Sequence, residues 1–304
     1  MKIALCLAGH LNTFWRTKTQ ILDLVNETNC DVFCYTSNML SSPLRHCKGE
    51  DWGILTEQNK TVTSLFIPPQ KECSATSKWT RPSNNHSILR KKAHYGYGWN
   101  IEKSIIETFL SKTFDDNLKK YFVWEQDAKK INDNFPKTKW DHLRANELYK
   151  IFECHKLMEQ YEKENNFKYD VIIRMRFDLG LKKKLYDETL INNEELKKTY
   201  GNQYIITVGG WDCPKSYKKI GFCHSFCYGH RDAIQSLVEI INIEDPKRYT
   251  EGCQPGAYLE PIMSHYLVHK KVGMVYLTNP HEHKHKKVRV VRGIASSKQY
   301  EILE

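Results

Sequence analysis

A chain of 304 residues has room for one large domain or two small ones. Its 40% hydrophobic and 27% charged residues are ordinary globular proportions, which excludes a chain dominated by disorder or low complexity. A balance of 46 Lys and Arg against 36 Asp and Glu leaves +10 at pH 7, which excludes an acidic solvating protein and favours a partner bearing phosphate or another anion.

The chain opens on an apolar run, Ile3 to Ala8, closed by Gly9-His10-Leu11-Asn12-Thr13, the pattern of a buried strand entering a glycine-led loop. The run is too short to cross a membrane and makes a poor signal peptide. With a mean hydropathy of −0.62 it predicts a cytoplasmic protein. Phe14, Trp15, Ile21, Leu22 and Val25 recur at helical spacing behind Thr13 as N-cap, and Asp31 to Thr36 reads as a second strand. Strand, loop, helix and strand in this order begin a parallel α/β sheet.

Residues 40 to 90 carry Pro43, Gly49, Gly53, Pro68, Pro69 and Pro82 and read as long surface loops around one strand, Val62 to Ile67. Helices are predicted over Trp99 to Leu110 and over Asp141 to Glu164, the second with an apolar stripe of Leu148, Phe152, Leu157 and Tyr161. The second half predicts strands at Tyr204 to Val208, Phe222 to Tyr228 and Val272 to Leu277, with helices at Asp232 to Ile241 and Ala257 to His269. The fold class expected is α/β, with a mixed, mostly parallel sheet flanked by helices in a single domain.

Ten cysteines fit a disulfide set or a set of free thiols. The pairs Cys30 and Cys34, and Cys223 and Cys227, lack zinc-knuckle spacing, and on strands they share a face as small buried hydrophobes do. Free, mostly buried thiols are therefore expected.

The segment Tyr169-Asp-Val-Ile-Ile-Arg-Met-Arg-Phe-Asp-Leu179 is an interior strand with an unusual polar end. Arg174, Arg176 and Asp178 alternate with Ile173, Met175 and Phe177, so a period of two places all three charges on one face. Ligands of open α/β sheets collect at the carboxyl ends of the strands. Two guanidiniums there suit a diphosphate, and a strand-tip Asp suits a divalent cation. The same pattern also fits a strand end that carries only a local Arg–Asp pair.

This segment resembles the YDxVIRxRxDL stretch of a group of GT-A-like glycosyltransferases of bacterial surface-polysaccharide clusters and large DNA viruses. Ile3 to Gly9 through Phe14, Cys30-Asp-Val-Phe33, His224-Ser-Phe-Cys-Tyr-Gly229 and Leu259-Glu-Pro-Ile-Met-Ser-His-Tyr-Leu267 are similar to further stretches of that group, in the same order. The resemblance implies a GT-A-like fold, with residues 1–179 as a donor half and residues 180–304 as an acceptor half. It implies transfer of a sugar from a nucleoside-diphosphate sugar to a glycan or glycoprotein, with Mn²⁺ or Mg²⁺ as cofactor. Gly9, His10, Asn12 and Thr13 would line the nucleotide site, and Arg174, Arg176 and Asp178 would manage the diphosphate. One departure is plain: GT-A enzymes commonly present Asp-x-Asp here, and Arg176 stands where the first acid would be. Either Asp178 holds a metal with other ligands, or the arginines do the cation's work.

Other candidates complete the expected site. His281, His283 and His285 alternate along an extended run, and His283 could join Asp178 on a metal, although such a run also fits a solvated basic patch. Glu260 is the first choice for the base that takes the acceptor proton and Asp212 the second, and each also fits a helix-terminal charge or a loop cap. Trp211, Tyr217 and Tyr258 could stack on a sugar. No P-loop, no dinucleotide glycine fingerprint and no Gly-x-Ser-x-Gly elbow occurs. Two alternatives remain at this level: a non-catalytic basic nucleic-acid-binding protein, for which no known binding motif occurs, or a degenerate transferase fold used as a binding module.

Overall fold

The computed structural model describes residues 1–11, 14–40, 99–100, 103–124, 142–181, 185–209, 222–243, 259–277 and 288–290. In chain order the elements are β1 (Ile3–Ala8), α1 (Phe14–Thr28), β2 (Asp31–Ser37), β3 (Met39–Leu40), β4 (Trp99–Asn100), α2 (Lys103–Phe114) and β5 (Leu118–Trp124). Then come α3 (His142–Glu164), β6 (Val171–Met175), β7 (Leu179–Leu181), α4 (Glu188–Ile191), α5 (Glu194–Tyr200) and β8 (Tyr204–Gly209). The chain continues through β9 (Phe222–His230), α6 (Arg231–Val238), α7 (Leu259–His269), β10 (Gly273–Tyr276) and β11 (Val288–Val290).

Alternation along β1 sets the layering. Ile3, Leu5 and Leu7 enter one core with Phe14, Ile21 and Val25 of α1, while Ala4, Cys6 and Ala8 enter a second core with Ile151, Cys154 and Met158 of α3. A strand apolar on both faces is stable only inside a sheet covered on both sides. That sheet has seven strands in the order β10-β8-β9-β6-β1-β2-β5. Every neighbouring pair is parallel except the two made by β9, so β9 alone runs against the rest. Helices α1, α2, α4 and α5 pack on one face, and α3, α6 and α7 on the other. The expected architecture, a mixed and mostly parallel sheet flanked by helices, is what the structure shows.

Several elements differ from the sequence reading. Edge strand β5 was not expected, because Leu118-Lys-Lys-Tyr-Phe-Val-Trp124 has no clean alternation, and Tyr121 and Phe122 are exposed on it. Trp99 and Asn100 pair with Met39 and Leu40 as strands instead of opening a helix, and α2 starts at Lys103. The short helices α4 and α5 were missed although each has a side-chain cap: Asp187 accepts from Thr189 N and Asn193 from Leu196 N. The strand at Val62 to Ile67 lies outside the described residues. Cys6, Cys30, Cys34, Cys154 and Cys227 are free and buried, as expected.

Helix α3 differs most instructively. The residues it turns to the sheet are Leu148, Lys150, Ile151, Cys154, His155, Met158 and Glu162, whereas Phe152, Leu157 and Tyr161 of the expected stripe are only partly buried. Three polar residues on the buried face hide it from a hydrophobicity pattern. Each has a reason to be there. His155 Nε2 lies 2.5 Å from Gln235 Oε1 of α6. Glu162 receives Arg231 Nε at 2.9 Å and Nη2 at 2.9 Å, Tyr169 N at 2.9 Å and Lys168 Nζ at 3.1 Å. Burial pushes the Glu162 carboxyl up, but these donors outweigh it and hold the group below its ordinary value.

Strand β9 passes close to its neighbour at Gly229, which pairs with Ile172 on one side and Ile205 on the other. A Cβ there would lie 2.7 Å from the carbonyl oxygen of Tyr204. Backbone cannot swing aside as a side chain does, so Gly229→Ala must part β8 from β9. The expected loss is about 1–3 kcal/mol, read as a lower urea midpoint with unchanged slope.

Candidate functional site

Strands β1 and β6 lie side by side and parallel at the middle of the sheet. From β1 the chain moves outward to β2, and from β6 it moves the other way to β9 and β8. Outside the carboxyl ends of strands, where the order reverses in this way, open α/β sheets bind their ligands. Five pieces of the chain meet at this edge: the Gly9–His10 turn after β1, Ser37 at the end of β2, Arg176 to Asp178 after β6, and the starts of α3 and α7.

Gly9 turns the chain off β1 with φ +132°, a region that favours glycine, while its N–H still bonds Tyr35 O at 3.2 Å. This delivers His10 to the edge. Strand β6 ends at Met175, but Arg176 N continues its pairing with β9 through Ser225 O at 3.1 Å. Ile173, Met175 and Phe177 belong to the α1-side core and Ile172 to the other, so alternation turns Arg174 and Arg176 to the α3 face, as the sequence predicts.

The three charges then part company by depth. Arg174 is 2% exposed and sits down the strand, in register between Cys6 of β1 and Cys227 of β9. It reaches a ligand at the edge only through its field. Arg176, with 17% of its side chain exposed, stands at the edge itself. Its Nε and Nη2 each donate to one oxygen of Asp178, both at 2.8 Å, and Nη1 lies 3.4 Å from Glu147 Oε1. The local Arg–Asp pair therefore exists, but it is not a surface pair: Asp178 is 2% exposed. A two-point fork with a buried carboxylate fixes the guanidinium plane as well as its place.

The same fork bears on the expected metal. The fork takes one lone pair of each Asp178 oxygen and leaves a divalent ion only the outer ones, and hard cations ask for several oxygen ligands at once. Among the described residues no three His, Cys, Asp or Glu side chains gather into a metal site. In this arrangement Asp178 is engaged by Arg176. His283, with His281 and His285, lies outside the described residues, as do Asn12, Thr13, Asp212, Trp211, Tyr217 and Tyr258.

Glu260 is in the first turn of α7. Ser264 Oγ donates to Glu260 O at 2.8 Å and accepts from Phe222 N at 3.0 Å, which ties that turn to the start of β9. Because β9 runs against β6, its start lies at the ligand edge, and α7 covers the same face of the sheet as α3. The fold thus brings Glu260 to the edge and face that carry Arg176.

Lys150, Ser37 and Glu147 are the residues that sequence reasoning missed. Lys150 is 1% exposed. Its Nζ lies 3.1 Å from His10 Nε2, 3.3 Å from His10 Nδ1 and 3.3 Å from Ser37 Oγ, to which it donates. Ser37 Oγ is 2.9 Å from His10 Nδ1, closing a three-membered cluster. Burial drives the Lys150 amine from its ordinary 10.5 down to about 7; Glu147 pulls it up and Arg176 pushes it further down. The signal available in the sequence was its spacing, one residue before Ile151 and four before Cys154, on the side that must face the sheet.

No protein-family model matches the chain, and no curated protein matches it. Solved structures that are similar in part include two worth describing. One is a nucleoside-diphosphate-sugar pyrophosphorylase from Vibrio cholerae RC9, 11% identical, with 63% of this chain and 73% of that chain covered at a TM-score of 0.33. The other is a glycosyltransferase involved in the glycosylation of the major capsid of PBCV-1, 11% identical, with 58% and 74% covered at 0.28. Likenesses this faint assign no activity to the chain.

The depressed Lys150 value makes a stability prediction that needs no ligand. Unfolded chains hold this proton more tightly than the folded protein, so stability rises with pH between about 7 and about 10, by at most about 1.4 kcal/mol per pH unit. Lys150→Met removes that rise, and urea denaturation of both proteins across this range shows the difference.

Proposed function

We propose that the chain is a glycosyltransferase that binds the diphosphate of a nucleoside-diphosphate sugar at Arg176 and passes the sugar to a hydroxyl of a glycan or glycoprotein. The observation that carries this reading is the Arg176 fork, held by Asp178 and Glu147 just beyond the strand where the sheet order reverses. A fixed cation at that point suits a group whose negative charge grows as the reaction proceeds. The sequence resemblance around Arg176 supports the same reading.

In this scheme an acceptor oxygen attacks the anomeric carbon and forms the new glycosidic bond. The bond from that carbon to the diphosphate oxygen breaks, and the diphosphate leaves with the electron pair. Arg176 binds the leaving group, with Arg174 adding its field from below. The acceptor proton passes to a carboxylate, and Glu260, at the same edge and face as Arg176 and outside its fork, takes that role. Asp178 is a positioning residue that keeps the guanidinium planar to its ligand. The chain's own arginines supply the positive charge in this account.

A thermal-shift panel of nucleoside-diphosphate sugars, followed by assay of donor hydrolysis, tests the reading. One donor class should raise the melting temperature, and Arg176→Ala should lower kcat/KM by about a hundred-fold or more. Asp178→Asn keeps the shape but weakens the fork, and should cost about ten-fold. A silent panel, or a folded Arg176→Ala protein with full activity, removes this function.

A further inference from the structure

Among the described residues at the ligand edge, Arg174 and Arg176 are met by three acids, Asp178, Glu147 and Glu260. A site built to receive a diphosphate would gain from a further positive charge, and the place for one is Lys150. It is seated between the His10 ring from the β1 turn and the Ser37 hydroxyl from β2. Among the described residues no carboxylate makes an ion pair with it. Glu147, one turn earlier on α3, is within reach of Arg176 instead.

The remaining surroundings are quickly told. From the segment after β6 comes Arg176, backed by Asp178. Tyr35 of β2, two residues before Ser37, packs against Tyr149 of α3, as does Trp124 of β5. Helix α6 meets α3 farther along, at His155. The cage accepts either protonation state. An ammonium donates to Ser37 Oγ and to a lone pair of His10, while a neutral amine accepts from the hydroxyl or a ring N–H. Which His10 tautomer is present follows from that choice.

We infer that Lys150, the buried amine caged by His10 and Ser37, is the proton acceptor of this site and takes up one proton from solvent when a diphosphate anion settles beside Arg176. The inference rests on the reading that a nucleoside-diphosphate sugar binds here. The balance is simple. One proton leaves the buffer, the Nζ lone pair receives it, and the site gains one positive charge against the incoming anion. No covalent bond of the ligand changes. The depressed Lys150 value supports the same picture, since the free protein gives up the proton near pH 7.

The sign follows from linkage. The bound form holds more protons, so affinity falls as pH rises above about 7, by at most about ten-fold per unit, and levels off below it, where Lys150 is already charged. Calorimetric titration of the full chain in HEPES and in Tris measures proton uptake from the difference in heats. The probes are UDP-glucose, GDP-mannose and dTDP-glucose, whose diphosphate diesters do not titrate near neutrality. Close to one proton per ligand is expected at about pH 8, and nearly none at about pH 6.

Lys150→Met should bind with no uptake, and His10→Gln should keep it. Binding without uptake at about pH 8 overturns the proton coupling and leaves the transferase reading standing. Absence of binding by all three probes overturns both. Uptake that survives in Lys150→Met, or disappears in His10→Gln, moves the proton to His10 and overturns the assignment to Lys150. If Lys150→Met fails to fold or bind, the His10→Gln result decides alone.

Discussion

The seat of helix α3 on the sheet governs the rest of the molecule. At its far end Glu162 is fully buried and held by the Arg231 fork, by Lys168 and by the N–H of Tyr169. Those partners belong to the start of α6 and the approach to β6, so one carboxylate joins three elements. A buried charge of this kind tolerates no slack: removing one partner of such a pair costs about 3–5 kcal/mol. The helix runs against the parallel strands, because its end leads straight into the start of β6. Its own beginning must therefore lie at the carboxyl edge, about 22 Å from Glu162 at 1.5 Å per residue to Glu147. Glu147 and Lys150 reach the ligand edge because Glu162 is anchored at the opposite one.

Depth then assigns different work to side chains of similar chemistry. Arg174 and Arg176 are two residues apart on one strand face, yet one is sealed between Cys6 and Cys227 and the other stands at the edge in a carboxylate fork. Asp178, which by type is a hard-cation ligand, is buried beneath a guanidinium and serves to aim it. The net charge of the chain says little about this edge. Its surplus of +10 is a property of the whole sequence, whereas the described acids at the site, Asp178, Glu147 and Glu260, offset its two arginines. That local balance gives a single buried amine its leverage over anion binding.

Much of the architecture was legible. Apolar runs such as Ile3 to Ala8 and Val171 to Ile173 report strands buried on both faces, since every side chain of an interior strand is under a helix. Glycine after β1 marked the turn that carries His10, and the alternation of Arg174 and Arg176 with apolar residues reported their shared face correctly. Strand β5 was not legible because an edge strand is paired on one side only and carries mixed residues along its exposed part. The stripe of α3 was misread because its buried face holds Lys150, His155 and Glu162, which are held there by partners 6 to 140 residues away in sequence.

The sequence by itself determined the class of fold, the free state of the described cysteines, the central strand with its charged end, and the face to which those charges turn. These are local or periodic properties, carried by neighbours one to four residues apart. Only the tertiary structure decided that Asp178 would bind Arg176, that Glu260 would come to the same edge, and that Lys150 would sit in a cage made by His10 and Ser37. Each of those outcomes depends on desolvation and on charges brought together from distant parts of the chain, and neither quantity exists until the helices close over the sheet.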